Sequence, residues 1–270
     1  MKSNLYLRVV SAVILAPVVL AAILYGDGDL GPTYNILIAL MGAVMAWEWE
    51  KMITGQTSPI AIILAATAVM VAFMGADYPA TSLVMILLSA LLVYFKSGKK
   101  ILLSFGTFYI CIPLMSMIYI GYINFDYSSD IILWLLFVVW ATDIGGYVFG
   151  KSIGGPKLAP KISPKKTWAG LIGGVVSACF VTYEFVSFMN LHYQSNMSMS
   201  FFVGSSALLA VISQAGDIFE SSIKRYLNVK DSSNLIPGHG GIFDRVDGLL
   251  FAAPVVALFL LLNNLGILAL

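Results

Sequence analysis

Residues 221–250 read SSIKRYLNVKDSSNLIPGHGGIFDRVDGLL and gather Lys224, Arg225, Lys230 and Arg245 beside Asp244, Asp247 and His239, one of only two histidines. Just before them Gln214, Asp217, Ser221 and Lys224 fall at spacings that line one stripe of a helix. Asp244 and Asp247 stand one helical turn apart where the next apolar run begins, a place where a helix N-terminus favours negative charge. Hard divalent cations such as Mg²⁺ take oxygen ligands, commonly one or two carboxylates together with substrate phosphates. Asp217, Asp244 and Asp247 supply such a set if the helices that carry them pack together. The neighbouring lysines and Arg225 would neutralise the phosphates. Glycines 238, 240 and 241 around His239 suit a sharply bent backbone whose N–H groups approach an anion. This chemistry is phosphoryl or nucleotidyl transfer, with metal-ion stabilisation of the attacking and leaving oxygens. There is no Walker A loop, no Cys/His zinc pattern and no GxSxG elbow, and His239 has no partner histidine nearby.

The elements that must position these groups are membrane helices. The 270 residues are 59% hydrophobic and 11% charged, less than half the roughly 25% charged content of soluble domains. Cys111 and Cys179 lie inside apolar runs and read as packing residues, which excludes a disulfide scaffold. Apolar runs at 5–25, 34–53, 60–74, 80–95, 101–120, 131–150, 168–189, 201–218 and 248–268 predict an all-α, polytopic bundle of about nine transmembrane helices. The first is expected to be a retained helix, because no small-x-small cleavage site follows it cleanly. We divide the chain into N-terminal transmembrane helices, 1–125, and C-terminal helices with the catalytic loops, 126–270. All fifteen basic residues fall in the N-terminal segment or after even-numbered spans, whereas Asp27, Asp29, Asp77, Asp126 and Asp130 occupy odd-numbered loops. The positive-inside rule then puts the N-terminus in the cytoplasm, the C-terminus outside and the active site on the cytoplasmic face of the cell's inner membrane.

Two further features bear on chemistry. Lys151, Lys157, Lys161, Lys165 and Lys166 are interspersed with Gly154, Gly155, Pro156, Pro160 and Pro164. Such a run anchors to anionic headgroups, but Ser163-Pro164 predicts a helix start that puts Lys165 and Lys166 in its first turn, where a phosphate would offset the helix dipole. Asp143 lies inside the sixth run, where an ionisable group marks a functional pathway or an internal partner. It shares a helix face with Tyr147, while Gly146 and Gly150 form a GxxxG that allows close helix approach. Glu48 and Glu50, flanked by Trp47, Trp49 and Lys51, read as interfacial anchors.

The run from Ser221 through Ile223-Lys224-Arg225, Lys230-Asp231, Ser233 and Ile236-Pro237 to His239-Gly240-Gly241-Ile242, Asp244-Arg245-Val246-Asp247 resembles, without a gap, the signature of phosphatidate cytidylyltransferases, the CDP-diacylglycerol synthases. Residues 162–168 and Thr142-Asp143 are similar to that family's upstream motifs, although Ala169 stands where the family usually carries Glu. The resemblance implies transfer of a cytidylyl group from CTP to phosphatidic acid, giving CDP-diacylglycerol and pyrophosphate in phospholipid biosynthesis. It implies Mg²⁺, with a second cation possible, held by Asp217, Asp244 and Asp247. Lys224 and Arg225 would act at the reacting phosphates; Lys165, Lys166, Ser221, Lys230, His239, Gly240, Gly241 and Arg245 would bind substrate phosphate, with Asp143 in support. The expected partners are CTP, phosphatidic acid and membrane lipids, not nucleic acid, and a homodimer is left open. Two alternatives stay open: another lipid phosphate, such as a polyprenyl-type phosphate, as acceptor, or a transporter in which Asp143 and the basic loops form a pathway and its gate.

Overall fold

The computed structural model describes residues 13, 14, 16–24, 31–98, 100–122, 128–195, 197–236, 238 and 240–268. Residues 5–12, 15 and 25 of the first apolar run, with Asp27, Asp29, Lys99, Asp126 and His239, lie outside them. The architecture is all-α. A first helical stretch, α1, covers residues 16–24; then come α2 (Pro32–Thr54), α3 (Pro59–Met74), α4 (Pro79–Lys96), α5 (Ile101–Tyr122) and α6 (Ser128–Ser152). A short antiparallel pair follows, β1 (Lys157–Ala159) and β2 (Ser163–Thr167), then α7 (Trp168–Tyr193), α8 (Met199–Tyr226) and α9 (Phe243–Asn264). Six described helices, α4 to α9, are long and apolar enough to cross a membrane, and α3 is a shorter apolar helix. The protein is a multi-pass membrane protein, and leucines such as Leu83, Leu87, Leu88 and Leu91 on α4 are exposed where water would disfavour them and acyl chains would not.

Local sequence explains the helix ends. Pro32, Pro59 and Pro79 open α2, α3 and α4, where a missing N–H costs no hydrogen bond, and Gly55 closes α2 in the left-handed conformation at φ 73°.

The chain forms two compact units, Met1–Ser129 with Tyr226–Val246, and Asp130–Arg225 with Asp247–Leu270. In the first, an aromatic group of Trp49, Phe105, Tyr109 and Phe243 has ring centroids 5.5–6.2 Å apart. The Trp49 indole N–H donates to the Leu102 carbonyl at 3.1 Å, which satisfies its one polar atom. Glu48 and Glu50 are not interfacial anchors: both are 0% exposed. Glu50 accepts from the Ser58 N–H at 2.9 Å, the Ala61 N–H at 3.1 Å and the Ser58 hydroxyl. It therefore caps the start of α3 from the end of α2. A buried carboxylate survives only with such donors, and a helix N-terminus offers them already aligned.

In the second unit the GxxxG of α6 brings α7 close. A methyl group on Gly170 would lie 2.8 Å from the Gly146 carbonyl oxygen and 3.3 Å from the Gly150 Cα. Helices α8 and α9 meet as closely, since a methyl group on Gly216 would lie 2.7 Å from the Asp247 carbonyl oxygen. Small residues thus set the spacing of the helices that carry the charged groups. Buried Trp134 donates to Thr182 at 3.1 Å and packs edge-on against Phe202.

Candidate active site

The polar stripe of α8 in the second unit is a row of partnered groups. The Gln214 amide donates to Asp143 of α6 at 3.5 Å. Asp217 forms an ion pair with Lys166, and the Ser221 hydroxyl donates to Asp217 at 3.3 Å. Fully buried Glu220 pairs with Lys224 at 2.9 Å, one turn further along. Exposed Arg225 donates from Nε to the Ile162 carbonyl at 3.4 Å, tying the hairpin to the end of α8. Asp247, half-buried on α9, lies within electrostatic reach of Asp217, Glu220 and Asp143, and its Oδ1 accepts the Gly248 N–H at 2.8 Å.

Lys165 and Lys166 sit on a strand, which corrects the helix start expected at Ser163. The chain turns back at 160–162 and pairs Ala159 with Ser163 and Lys157 with Thr167. Helix α7 begins only after Thr167, whose hydroxyl accepts the Gly170 N–H at 3.0 Å. Proline tolerates an edge strand as well as a first helical turn, so Ser-Pro alone does not distinguish them. Alternation along β2 leaves Lys165 exposed and brings Lys166 to Asp217.

In the first unit the segment Tyr226–Val246 folds around two carboxylates. Asp244 Oδ2 accepts the Ser232 N–H at 2.9 Å, the Ser232 hydroxyl at 2.8 Å and the Gly241 N–H at 2.8 Å. Ile236 and Gly240 exchange backbone hydrogen bonds at 2.8 and 3.1 Å, closing a turn in which Gly238 and Gly240 have φ of 77° and 87°. The N–H groups of Gly240 and Gly241 are thus engaged within the loop. Glu48 of α2 accepts the Ile242 and Phe243 N–H groups, each at 2.9 Å, and the Ser233 hydroxyl at 2.6 Å. Lys230 and Arg245 are exposed.

Of the three aspartates read as one metal set, Asp217 and Asp247 belong to the second unit and Asp244 to the first. Among the described residues no three His, Cys, Asp or Glu side chains are grouped to hold a metal by themselves. Mg²⁺ rarely takes an all-protein cage and is commonly bound by one or two carboxylates together with substrate phosphates and water. Sequence reasoning did not assign Glu48 or Glu220 to the site. Glu220 was findable, because a Glu four residues before a Lys on a helix is an ion-pair spacing. Glu48 had a weaker signal: a carboxylate within an apolar run needs a partner, but nothing local names one.

The cytidylyltransferase family's sequence model matches residues 6–263. A phosphatidate cytidylyltransferase of Rickettsia bellii is 35% identical over 262 residues, covering 94% of this chain and 90% of the relative. One of Rickettsia prowazekii is 34% identical over 259 residues, covering 94% and 91%. One of Brucella suis is 33% identical over 264 residues, covering 95% and 93%.

Proposed function

The chain belongs to the cytidylyltransferase family, and from that premise we infer that it transfers a cytidylyl group from CTP to phosphatidic acid, an enzymatic step of phospholipid biosynthesis. A phosphate oxygen of phosphatidic acid attacks the α-phosphorus of CTP, the bond from that phosphorus to the β-phosphate oxygen breaks, and CDP-diacylglycerol and pyrophosphate result. Such a transfer asks the protein mainly for positioning and charge neutralisation. The observation that carries the reading is the grouping of Asp217, Asp247 and Lys166 in the second unit of a membrane-spanning protein.

Lys166, fixed by β2, offers its ammonium to developing negative charge. Arg225 and Lys165 are exposed for the phosphates, and Ser221 orients Asp217. Lys224, held by Glu220, sets the local charge from a buried position. Lys230 and Arg245 are further candidate phosphate contacts by their chemistry and exposure. Asp143, through Gln214, supports α8. Asp217 and Asp247 would hold Mg²⁺, which when bound supplies Lewis-acid neutralisation of phosphate oxygens.

The deciding experiment is CTP-dependent pyrophosphate release by purified protein, with phosphatidic acid and a polyprenyl phosphate offered separately. Turnover with phosphatidic acid alone is expected. Turnover with polyprenyl phosphate alone would reassign the acceptor, and none with either would favour transport.

We further propose an inner-membrane location, with the N-terminus and the basic loops in the cytoplasm and a nine-span path. The supporting observation is the segregation of all fifteen Lys and Arg to alternate loops. Reporter fusions after residues 55, 100, 160 and 235 are expected to read cytoplasmic, and fusions after 28, 128 and 195 external. A cytoplasmic reading at 195 would overturn the path.

A further inference from the structure

We propose that Glu48 is a positioning residue of the transferase: its carboxylate, carried on α2, holds the start of α9 and the 232–243 loop in their working conformation. The inference rests on the transferase reading for its catalytic part only.

Glu48 is 0% exposed, and its described hydrogen-bond donors come from a segment remote in the chain rather than from its own helix. Oε1 accepts the Ile242 N–H at 2.9 Å and the Ser233 hydroxyl at 2.6 Å, and Oε2 accepts the Phe243 N–H at 2.9 Å. The Ser232 hydroxyl lies 3.4 Å from Oε2 but 2.8 Å from Asp244 Oδ2, so it serves chiefly Asp244. The two amides stand at the start of α9, Ile242 immediately before it and Phe243 as its first residue, where a helix leaves N–H groups without internal partners and favours negative charge. Asp244 supplies the companion contact by reaching back to the Gly241 N–H. Two carboxylates therefore fix consecutive backbone donors at 241, 242 and 243. Phe243 is also clamped by the rings of Trp49 and Tyr109, each with its centroid 5.7 Å away. The held segment bears Lys230 and Arg245 at its margins. The two faces of one helix end thus have separate duties: Glu50 caps α3, and Glu48 caps α9.

Glu48→Gln preserves shape but turns an amide NH₂ toward backbone donors, so at least one bond becomes a donor–donor clash. Hydrogen exchange read by mass spectrometry on the detergent-purified full chain should then show peptides spanning 232–243 exchanging about tenfold or more faster than wild type, with α5 and α7 peptides unchanged. In the same preparation kcat/KM for CTP should fall about tenfold or more. Glu50→Gln, which loosens the start of α3, should leave exchange at 232–243 at the wild-type rate. Exchange at 232–243 within about twofold of wild type in Glu48→Gln would overturn the proposal. So would faster local exchange with kcat/KM within about threefold of wild type, because Glu48 would then be structural only. If Glu48→Gln does not fold, Ser233→Ala removes one donor to the same carboxylate. Faster exchange confined to 232–243 would then support the proposal, and unchanged exchange there would overturn it. A wild type that releases no pyrophosphate from CTP with any lipid phosphate would sink the transferase reading instead, and the exchange data would still decide whether Glu48 holds the loop.

Discussion

Asp217→Asn and Asp247→Asn each lower CTP-dependent pyrophosphate release by about a hundred- to a thousandfold, the size of loss expected when one electrostatic contact to the transition state is removed. Both side chains lie where α8 and α9 approach at Gly216, and Asn keeps their shape while removing the charge a cation needs. Thermal unfolding in detergent separates ligand loss from misfolding. Mg²⁺ should raise the Tm of wild type and raise it less in each variant, because a ligand that binds only the folded state stabilises it in proportion to occupancy. Asp244→Asn should also lose turnover, yet with a full Mg²⁺ response, since its carboxylate holds Ser232 and Gly241 within the loop. If Asp217→Asn and Asp247→Asn stayed within a few-fold of wild type, the ligands would have to be sought at Asp143 and Glu220.

Lys166→Ala should be nearly as damaging, about a hundredfold or more in turnover, whereas Lys151→Ala should be almost silent. Lys151 is exposed and lies over the ring of Tyr147 on its own helix, an arrangement that serves anchoring. Lys166 is half-buried and ion-paired with Asp217. Its removal would take away the proposed phosphate contact and the ion pair with Asp217. Lys165→Ala, altering the exposed face of the same strand, should fall between the two. Equal and small losses for all three lysines in a steady-state assay would return the whole hairpin to headgroup anchoring.

What could be read from the residues was whatever depends on near neighbours. The stripe Gln214, Asp217, Ser221 and Lys224 follows from helical spacing, and the structure gives each member a partner on or beside that stripe. Gly146 and Gly150 marked a close helix approach, found against Gly170. The β1–β2 pair was not legible, because its strands are short and rich in lysine and proline. Nor was the engagement of Glu48, whose partners are remote in the chain and whose tryptophan neighbours imitate an interfacial belt. Periodicity reports which face of an element is apolar; it carries no information about which distant backbone end a lone carboxylate will meet.

The bond from Glu48 to the Ile242 amide joins residues 194 apart, and this separation imposes an order on biogenesis. A ribosome delivers α2 to the membrane long before α9 exists, so during most of synthesis Glu48 is a carboxyl group waiting for its donors. Glu50 waits only for Ser58 and Ala61, which emerge almost at once. The nascent chain must therefore keep the end of α2 near headgroups or water until the start of α9 arrives, since a charged group stranded in hydrocarbon is costly. Arrival of the 232–243 segment then withdraws that carboxylate from solvent, making closure around Glu48 a late event that distinguishes a chain carrying α9 from one stopped short of it.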